Sequence, residues 1–121
     1  MKNTARTVAV ILFLAVASFS APMPKNARTF NGEIMDSQCA MMGSHAKMEA
    51  MHHIGDNPKM CTLECVKMGG KFVLYNKASK KIYQLDNQEA PKAFAGEKVK
   101  VIGIYDRSNR TIHVEKIEPR S

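Results

Sequence analysis

The order of the predicted strands and helices is the feature that most constrains this chain. Apolar runs bounded by turn signals predict five strands and one short helix: strands at 29–36, 71–76, 81–85, 97–105 and 110–117, and a helix at 88–95. A longer helical segment separates the first two strands. This order is typical of a small five-stranded OB-like barrel, which closes on itself and so protects its strand edges. A generic α+β sandwich built from the same elements is the alternative.

Two residues in the second half of the chain favour the barrel. Gly103 lies inside the fourth strand, where a glycine permits the bulge or sharp bend that a barrel strand needs. Phe94 on the short helix is expected to close one open end. The predicted domain has about a hundred residues, which is enough for one small core and for no second domain.

The first 20 residues are predicted to be a signal peptide. Lys2 and Arg6 precede an uncharged apolar run from Val8 to Val16. This run is shorter than the roughly 20 apolar residues that a transmembrane helix needs. We therefore expect cleaved export rather than a retained anchor, and no integral membrane span after cleavage.

Cleavage is expected after Ala17 or Ser20, because small residues follow the apolar run there. Residues 21–28 then form a Pro-bearing linker, and residues 29–118 form the OB-like domain. We expect the mature protein to be periplasmic or secreted.

The positive charge of the chain has two interpretations. The formal net charge is +7, and the predicted signal supplies two of these charges through Lys2 and Arg6. A basic OB-like domain inside the cell would suggest single-stranded nucleic acid as a partner. Export removes that partner, so we expect no nucleic acid and instead an envelope protein or a small ligand.

Residues 40–69 are predicted to form a two-helix insert between the first and second strands. Ala40–His53 has helical spacing, and a second helix begins with the capping sequence Asn57-Pro58 and stops at Gly69. The insert and its immediate flanks hold all three Cys, three of the four His and six of the nine Met. Any specific chemistry is therefore expected in this insert.

Two cysteine motifs stand out along the domain: Asp36-Ser37-Gln38-Cys39, with His45 after it, and Cys61-x-x-x-Cys65, with Gly70 after it. Together with the stretch AGEKVKVIG at 95–103, they resemble an uncharacterised family of exported bacterial OB-fold proteins with a D-S-x-C... C-x-x-x-C pattern. The resemblance covers about residues 29–118. It implies the fold and the export, and no activity comes with it.

The odd number of cysteines needs an explanation in an exported domain, where disulfides form. Cys61 and Cys65 are four residues apart, so both lie on the same side of a helix and both can face Cys39. A disulfide from Cys39 to one of them would stabilise the fold by about 3 to 4 kcal/mol and leave one free thiol. The spacing leaves both pairings open.

Metal binding is the second interpretation of the same thiols. Three thiolates and one imidazole are an accepted ligand set for structural zinc, and the chain supplies Cys39, Cys61, Cys65 and His45. Thioethers and imidazoles at helical spacing, together with thiolates, suit monovalent copper, and the insert places them at Met41, His45, Met48 and His52. Copper or zinc is therefore a candidate cofactor, although a methionine stripe is also typical of core packing.

The sequence contains no hydrolase, kinase or dehydrogenase motif, and the C-x-x-C of thiol–disulfide exchange enzymes is missing. Asp36 beside Ser37 is interpreted as a cap of the following helix rather than as an acid–base group. We therefore expect a non-enzymatic exported binding module that holds copper or zinc through the insert. The alternative is a disulfide-stabilised structural or protein-interaction domain of the cell envelope without metal.

Overall fold

The computed structural model describes residues 15, 17, 18 and 21–121. Most of the predicted signal peptide, residues 1–14, 16, 19 and 20, lies outside the described residues. Within the described part, no helix is both long and apolar enough to cross a lipid bilayer.

The described residues form five strands, three α-helices and one 3₁₀-helix. In chain order these are β1 (Arg28–Asp36), α1 (Ser37–Met42), α2 (Ala46–His52), α3 (Pro58–Lys67), β2 (Phe72–Asn76), β3 (Lys81–Leu85), the 3₁₀-helix (Ala90–Phe94), β4 (Lys98–Asp106) and β5 (Thr111–Pro119). Each strand begins and ends within two residues of its predicted bounds. The prediction of a mainly β chain with five strands is therefore confirmed.

All five strands belong to one sheet, in the order β1-β2-β3-β5-β4, and β4 returns to pair with β1. The sheet is thus a closed, barrel-like ring. Four of the pairings are antiparallel, whereas β3 and β5 run parallel and pair through Gln84–Thr111 and Leu85–Ile112. Because the ring closes, none of these five strands is left as a free edge.

Alternation along the strands gives the molecule two cores, one on each face of the sheet. The main core consists of Ile34, Phe72, Leu74, Leu85, Ala95, Val99, Val101 and Ile112. Strand β2 shows the alternation directly, since Val73 and Tyr75 belong to the second core. Phe94 of the 3₁₀-helix packs against the main core and is partly buried.

Gly103 produces the irregularity that the sequence predicted in β4. The register between β4 and β5 shifts between Ile102 and Gly103, which marks a β-bulge. A Cβ atom at Gly103 would collide with the backbone oxygen of His113. Glycine at this position therefore lets β4 and β5 approach each other where the ring bends.

The insert contains three helices, and the prediction of two was wrong. Gly43 divides the predicted helix at 40–53, because it adopts a left-handed backbone (φ 77°) and ends α1. The chain turns there, and α2 begins only at Ala46. The apolar residues keep helical spacing through this region of the sequence. That spacing does not reveal that Gly43 adopts a positive φ, so the break could not be predicted from it. The insert also starts earlier than predicted, since α1 begins at Ser37.

Helix α3 has the predicted start and end. The side-chain oxygen of Asn57 accepts a hydrogen bond from the Met60 amide at 3.0 Å, and Pro58 is the first helical residue. The helix ends at Lys67, shortly before Gly69, whose φ is 108°. Local capping chemistry is sufficient to define this helix.

The second core lies between the insert and the outer face of the ring, and it contains all three cysteines. The strands contribute Met35, Val73 and Tyr75 to it. The insert contributes Cys39, Ala40, Met48, Cys61 and Cys65. Burial of these apolar side chains holds the three helices against β1 and β2.

Candidate metal centre

The three cysteines meet in the second core. Cys39 lies in the first turn of α1, and Cys61 and Cys65 lie one turn apart on α3. Their sulfur atoms are all within 4.8 Å of one another, and the Sγ atoms of Cys39 and Cys61 are 3.7 Å apart. All three side chains are at most 3% exposed. The expectation that both cysteines of α3 face Cys39 is therefore met.

The predicted disulfide is not formed in this structure, where all three cysteines are free. A disulfide joins its sulfur atoms at about 2.05 Å. The 3.7 Å between the Cys39 and Cys61 sulfurs is far longer, and it corresponds to two thiols in contact.

The sulfur atoms of Cys39 and Cys61 are spaced like two ligands of one metal ion. With metal–sulfur bonds of about 2.3 Å, two ligands of a tetrahedral site are about 3.8 Å apart, and two ligands of a flat three-coordinate site are about 4.0 Å apart. The 3.7 Å between Cys39 and Cys61 is close to both values. These two thiols could therefore bind the same metal ion, and the Cys65 sulfur lies within 4.8 Å of both.

The surroundings keep these thiols protonated. Burial raises the pKa of Cys39 far above its usual range, and a hydrogen bond to the Asp36 carboxylate and its negative charge raise it further. Burial also raises the pKa of Cys65, to about 11. For Cys61, burial raises the pKa more than the hydrogen bonds with its two neighbouring thiols lower it. At neutral pH the group consists of three neutral thiols, which only a bound cation would convert to thiolates.

Asp36 fixes the position of Cys39. Its carboxylate accepts hydrogen bonds from the amides of Gln38 at 2.8 Å and Cys39 at 3.3 Å, and it is fully buried. It therefore caps α1, as its place beside Ser37 indicates. Gly70 approaches from the end of α3, where a Cβ atom would lie 2.9 Å from the carbonyl oxygen of Cys65. Asp36 thus positions Cys39, and the glycine at position 70 leaves room for the backbone of Cys65.

His45 lies at the start of α2 and is 8% exposed. Its Nε2 is 2.7 Å from a carboxylate oxygen of Glu33, whereas its Nδ1 is buried with no hydrogen-bond partner among the described residues. Burial lowers the pKa of His45, but the hydrogen bond and the charge of Glu33 outweigh it, so the pKa is raised. Neither ring nitrogen belongs to the group of sulfur atoms that lie within 4.8 Å of one another.

The other predicted ligands are Met41, Met48 and His52, and only Met48 is buried. Met48 is buried in the same core as the three thiols. Met41 is 73% exposed, and His52 is also exposed. The break at Gly43 explains the separation, because Met41 lies on α1 whereas Met48 and His52 lie on α2.

Sequence reasoning missed Met35, whose thioether is 1% exposed and lies in the same core. The signal is present in β1, where Ile34 and Met35 are adjacent and must point to opposite faces of the sheet. With Met35 and Met48, five sulfur-containing side chains share one buried cluster.

Methionine also dominates the apolar surface. Every large hydrophobic side chain that is exposed in the described part of the chain is a methionine: Met23, Met41, Met42, Met51, Met60 and Met68. All but Met23 lie on the insert. The insert therefore exposes methionine thioethers to solvent while it buries the thiols of all three cysteines.

This arrangement can bind a soft cation, and it contains the donor type that such cations prefer. Comparison of the chain with protein-family models, with curated proteins and with solved structures found no match in any of the three.

Proposed function

We propose that this protein is a soft-metal binding module that holds one monovalent copper ion on the thiolates of Cys39, Cys61 and Cys65. The observation that carries the proposal is the group of three buried sulfur atoms within 4.8 Å of one another. Within the described residues, no fourth His, Cys, Asp or Glu ligand atom belongs to this group. Structural zinc sites are almost always four-coordinate, so three thiolates alone favour copper.

The surroundings support copper further. The thioethers of Met35 and Met48 lie in the same core, and thioethers are soft ligands that zinc sites in proteins do not commonly use. The exposed methionines of the insert provide weak surface ligands from which a copper ion could pass inward. Binding would release the thiol protons, so the affinity is expected to rise with pH.

Zinc is the second candidate metal, and the surroundings of the His45 ring favour it. A metal-bound histidine commonly donates its other ring N–H to a carboxylate. His45 has this arrangement, since Nε2 faces Glu33 and Nδ1 is buried without a partner in the described part of the chain. Zinc binding by three thiolates and His45 would require the loop between α1 and α2 to carry Nδ1 to the sulfurs.

The proposal also includes an OB-type barrel, export from the cytoplasm and the lack of an enzymatic activity. Five strands in a ring, with a short helix between β3 and β4, support the barrel type. The predicted signal at residues 1–20 supports export. Fractionation of cells that express the full chain tests export, because a cytoplasmic, uncleaved protein would contradict it.

Metal titration of the reduced protein tests the proposed site. The protein is purified without oxygen, and a coloured copper(I) chelator competes for the metal. We expect one copper ion per chain and an ultraviolet sulfur-to-copper absorption band. Cys61→Ser should abolish both, and Cys61→Ala is a second variant in case serine disturbs the core; circular dichroism checks that each is folded.

Two histidine variants separate copper from zinc. His45→Gln should leave copper binding unchanged, whereas it should weaken zinc binding at least tenfold if His45 is the fourth zinc ligand. His52→Gln is the matched control, because His52 is an exposed histidine of the same insert. Folded, reduced protein that binds neither metal would overturn the proposal and leave a structural or protein-interaction domain without metal as the alternative.

A further inference from the structure

A second surface feature is independent of the cysteines. An open groove of about 650 Å³ lies where the β2–β3 and β4–β5 turns and the start of β1 come together. Its walls carry five cationic side chains: Arg28, Lys80, Lys81, Arg107 and Arg110. No carboxylate belongs to the lining among the described residues.

Three aromatic rings form the floor of this groove. The ring centroids of Phe30, Tyr83 and Tyr105 are 5.2 to 5.6 Å apart, and the rings are inclined to one another by 52° to 80°. All three side chains are partly buried and pack against the main core. They provide an apolar base, but they do not form parallel platforms on which successive nucleic-acid bases could stack.

The cations of the groove are uncompensated. None of the five forms an ion pair with a carboxylate of the described chain, whereas Lys67, Lys92 and Lys116 elsewhere do. The neighbouring carboxylate of Asp106 accepts hydrogen bonds from the amide and hydroxyl of Ser108. The groove is therefore complementary to an anionic ligand.

Two of the cations occupy strained backbone positions. Lys80 and Arg110 end the β2–β3 and β4–β5 turns, and each has a left-handed backbone with φ 56°. Glycine or asparagine adopts this conformation more readily than lysine or arginine does. Both hairpins that border the groove thus have a cationic residue where glycine or asparagine would be less strained. Strain of this kind tends to occur at functional sites, so it favours a binding role for the two charges.

We propose that this groove binds a linear polysaccharide that carries carboxylate groups along its length. Five cations spread over two turns and the first residues of β1 and β3 fit several anionic groups of an extended chain better than one small ion. The apolar faces of sugar rings can contact the aromatic floor without the parallel platforms that bases need. The predicted export brings such polymers within reach, and the proposal does not depend on metal binding.

Binding of oligogalacturonate to the full chain tests this proposal, with neutral dextran and an oligothymidylate of equal charge as comparison probes. We expect oligogalacturonate to bind most tightly and its affinity to fall as salt is raised. Lys80→Gln with Arg110→Gln should weaken binding about tenfold or more and lower the salt slope by about two fifths. Lys47→Gln with Lys59→Gln removes the same charge from exposed positions of the insert and should change affinity less than twofold.

A glycine pair separates binding from stability. Lys80→Gly with Arg110→Gly should weaken binding as the glutamine pair does, yet raise the melting temperature, because both turns lose their strain. Tighter binding of the oligothymidylate than of oligogalacturonate, or equal weakening by the insert control, would overturn the proposal. So would unchanged affinity in both double variants of the groove.

Discussion

Asp36 shows how one buried carboxylate can position a site and set its protonation. Its oxygens hold the amides at the start of α1, which fixes Cys39 beside Cys61. The same negative charge opposes ionisation of the thiols, and so do their burial and, at Cys61, the charge of Glu49. Without a cation the group is neutral, and a bound cation has to overcome the effect of these negative charges before the thiols ionise.

His45 gives a prediction of pH dependence at the same scale. Because its pKa is raised in the folded protein, its pairing with Glu33 stabilises fully below the unfolded pKa of about 6.5. That stabilisation is lost as the pH rises through the folded pKa. Urea unfolding of the metal-free, reduced protein at pH 5.5, 6.5 and 7.5 should show the decline, and His45→Gln should remove it.

His52→Gln is the control for this measurement, since His52 is exposed. It should keep the pH dependence of the unmodified protein. An identical decline in the His45→Gln variant would show that the His45–Glu33 pair is not its source.

At the scale of elements, the insert differs from an ordinary helical insert in what it exposes. Its helices bury Ala40, Met48 and the three thiols against β1 and β2, and they expose Met41, Met51, Met60 and Met68. Leucine would serve equally well if the purpose of these positions were apolar contact alone. The consistent use of methionine is what the proposed passage of copper across this surface requires.

Met60 and Met68 flank the two cysteines of α3 and provide the test. Met60→Leu with Met68→Leu keeps the apolar surface and helix propensity, so stability should change by less than about 1 kcal/mol. If thioethers deliver copper to the thiols, stopped-flow uptake of copper should slow several-fold while the final affinity stays the same. Met23→Leu is the control, because Met23 is exposed but lies outside the insert. Unchanged uptake would mean that the exposed thioethers have no part in delivery.

At the scale of the whole molecule, the closed ring gives this short chain a stable framework on which the insert packs. Every strand is paired on both sides, and the main core and the second core lie on opposite faces of the same sheet. Strand β2 therefore couples the two cores, since its alternate residues enter each. A substitution that disturbs ring closure should therefore also disturb the packing of the three cysteines in the second core.

Gly103→Ala tests this coupling. The added Cβ would collide with the His113 backbone where β4 and β5 approach, so we expect a loss of about 2 kcal/mol or more in the free energy of unfolding. Copper affinity should fall with it, because β4 also pairs with β1. Gly55→Ala is the comparison, since φ is 74° there but a Cβ would meet no atom within 4 Å. Equal effects of the two variants on copper binding would contradict coupling through the ring.

The sequence by itself determined the elements whose signals are local. Strand alternation placed all five strands within two residues, Asn57-Pro58 placed the start of α3, and Gly103 marked the bulge. The four-residue spacing of Cys61 and Cys65 put both thiols on one side of α3. These features depend on backbone geometry within a few residues, and the chain carries that information directly.

The tertiary structure alone decided which side chains share a site. Met35 lies in the second core because the outer face of β1 packs against the insert. Met41 lies outside this core because Gly43 adopts a positive φ and ends α1. The basic groove joins residues from β1 and from both hairpins, which only ring closure brings together. Such neighbours are separated by tens of residues along the chain, so their contact depends on packing and closure rather than on any local pattern.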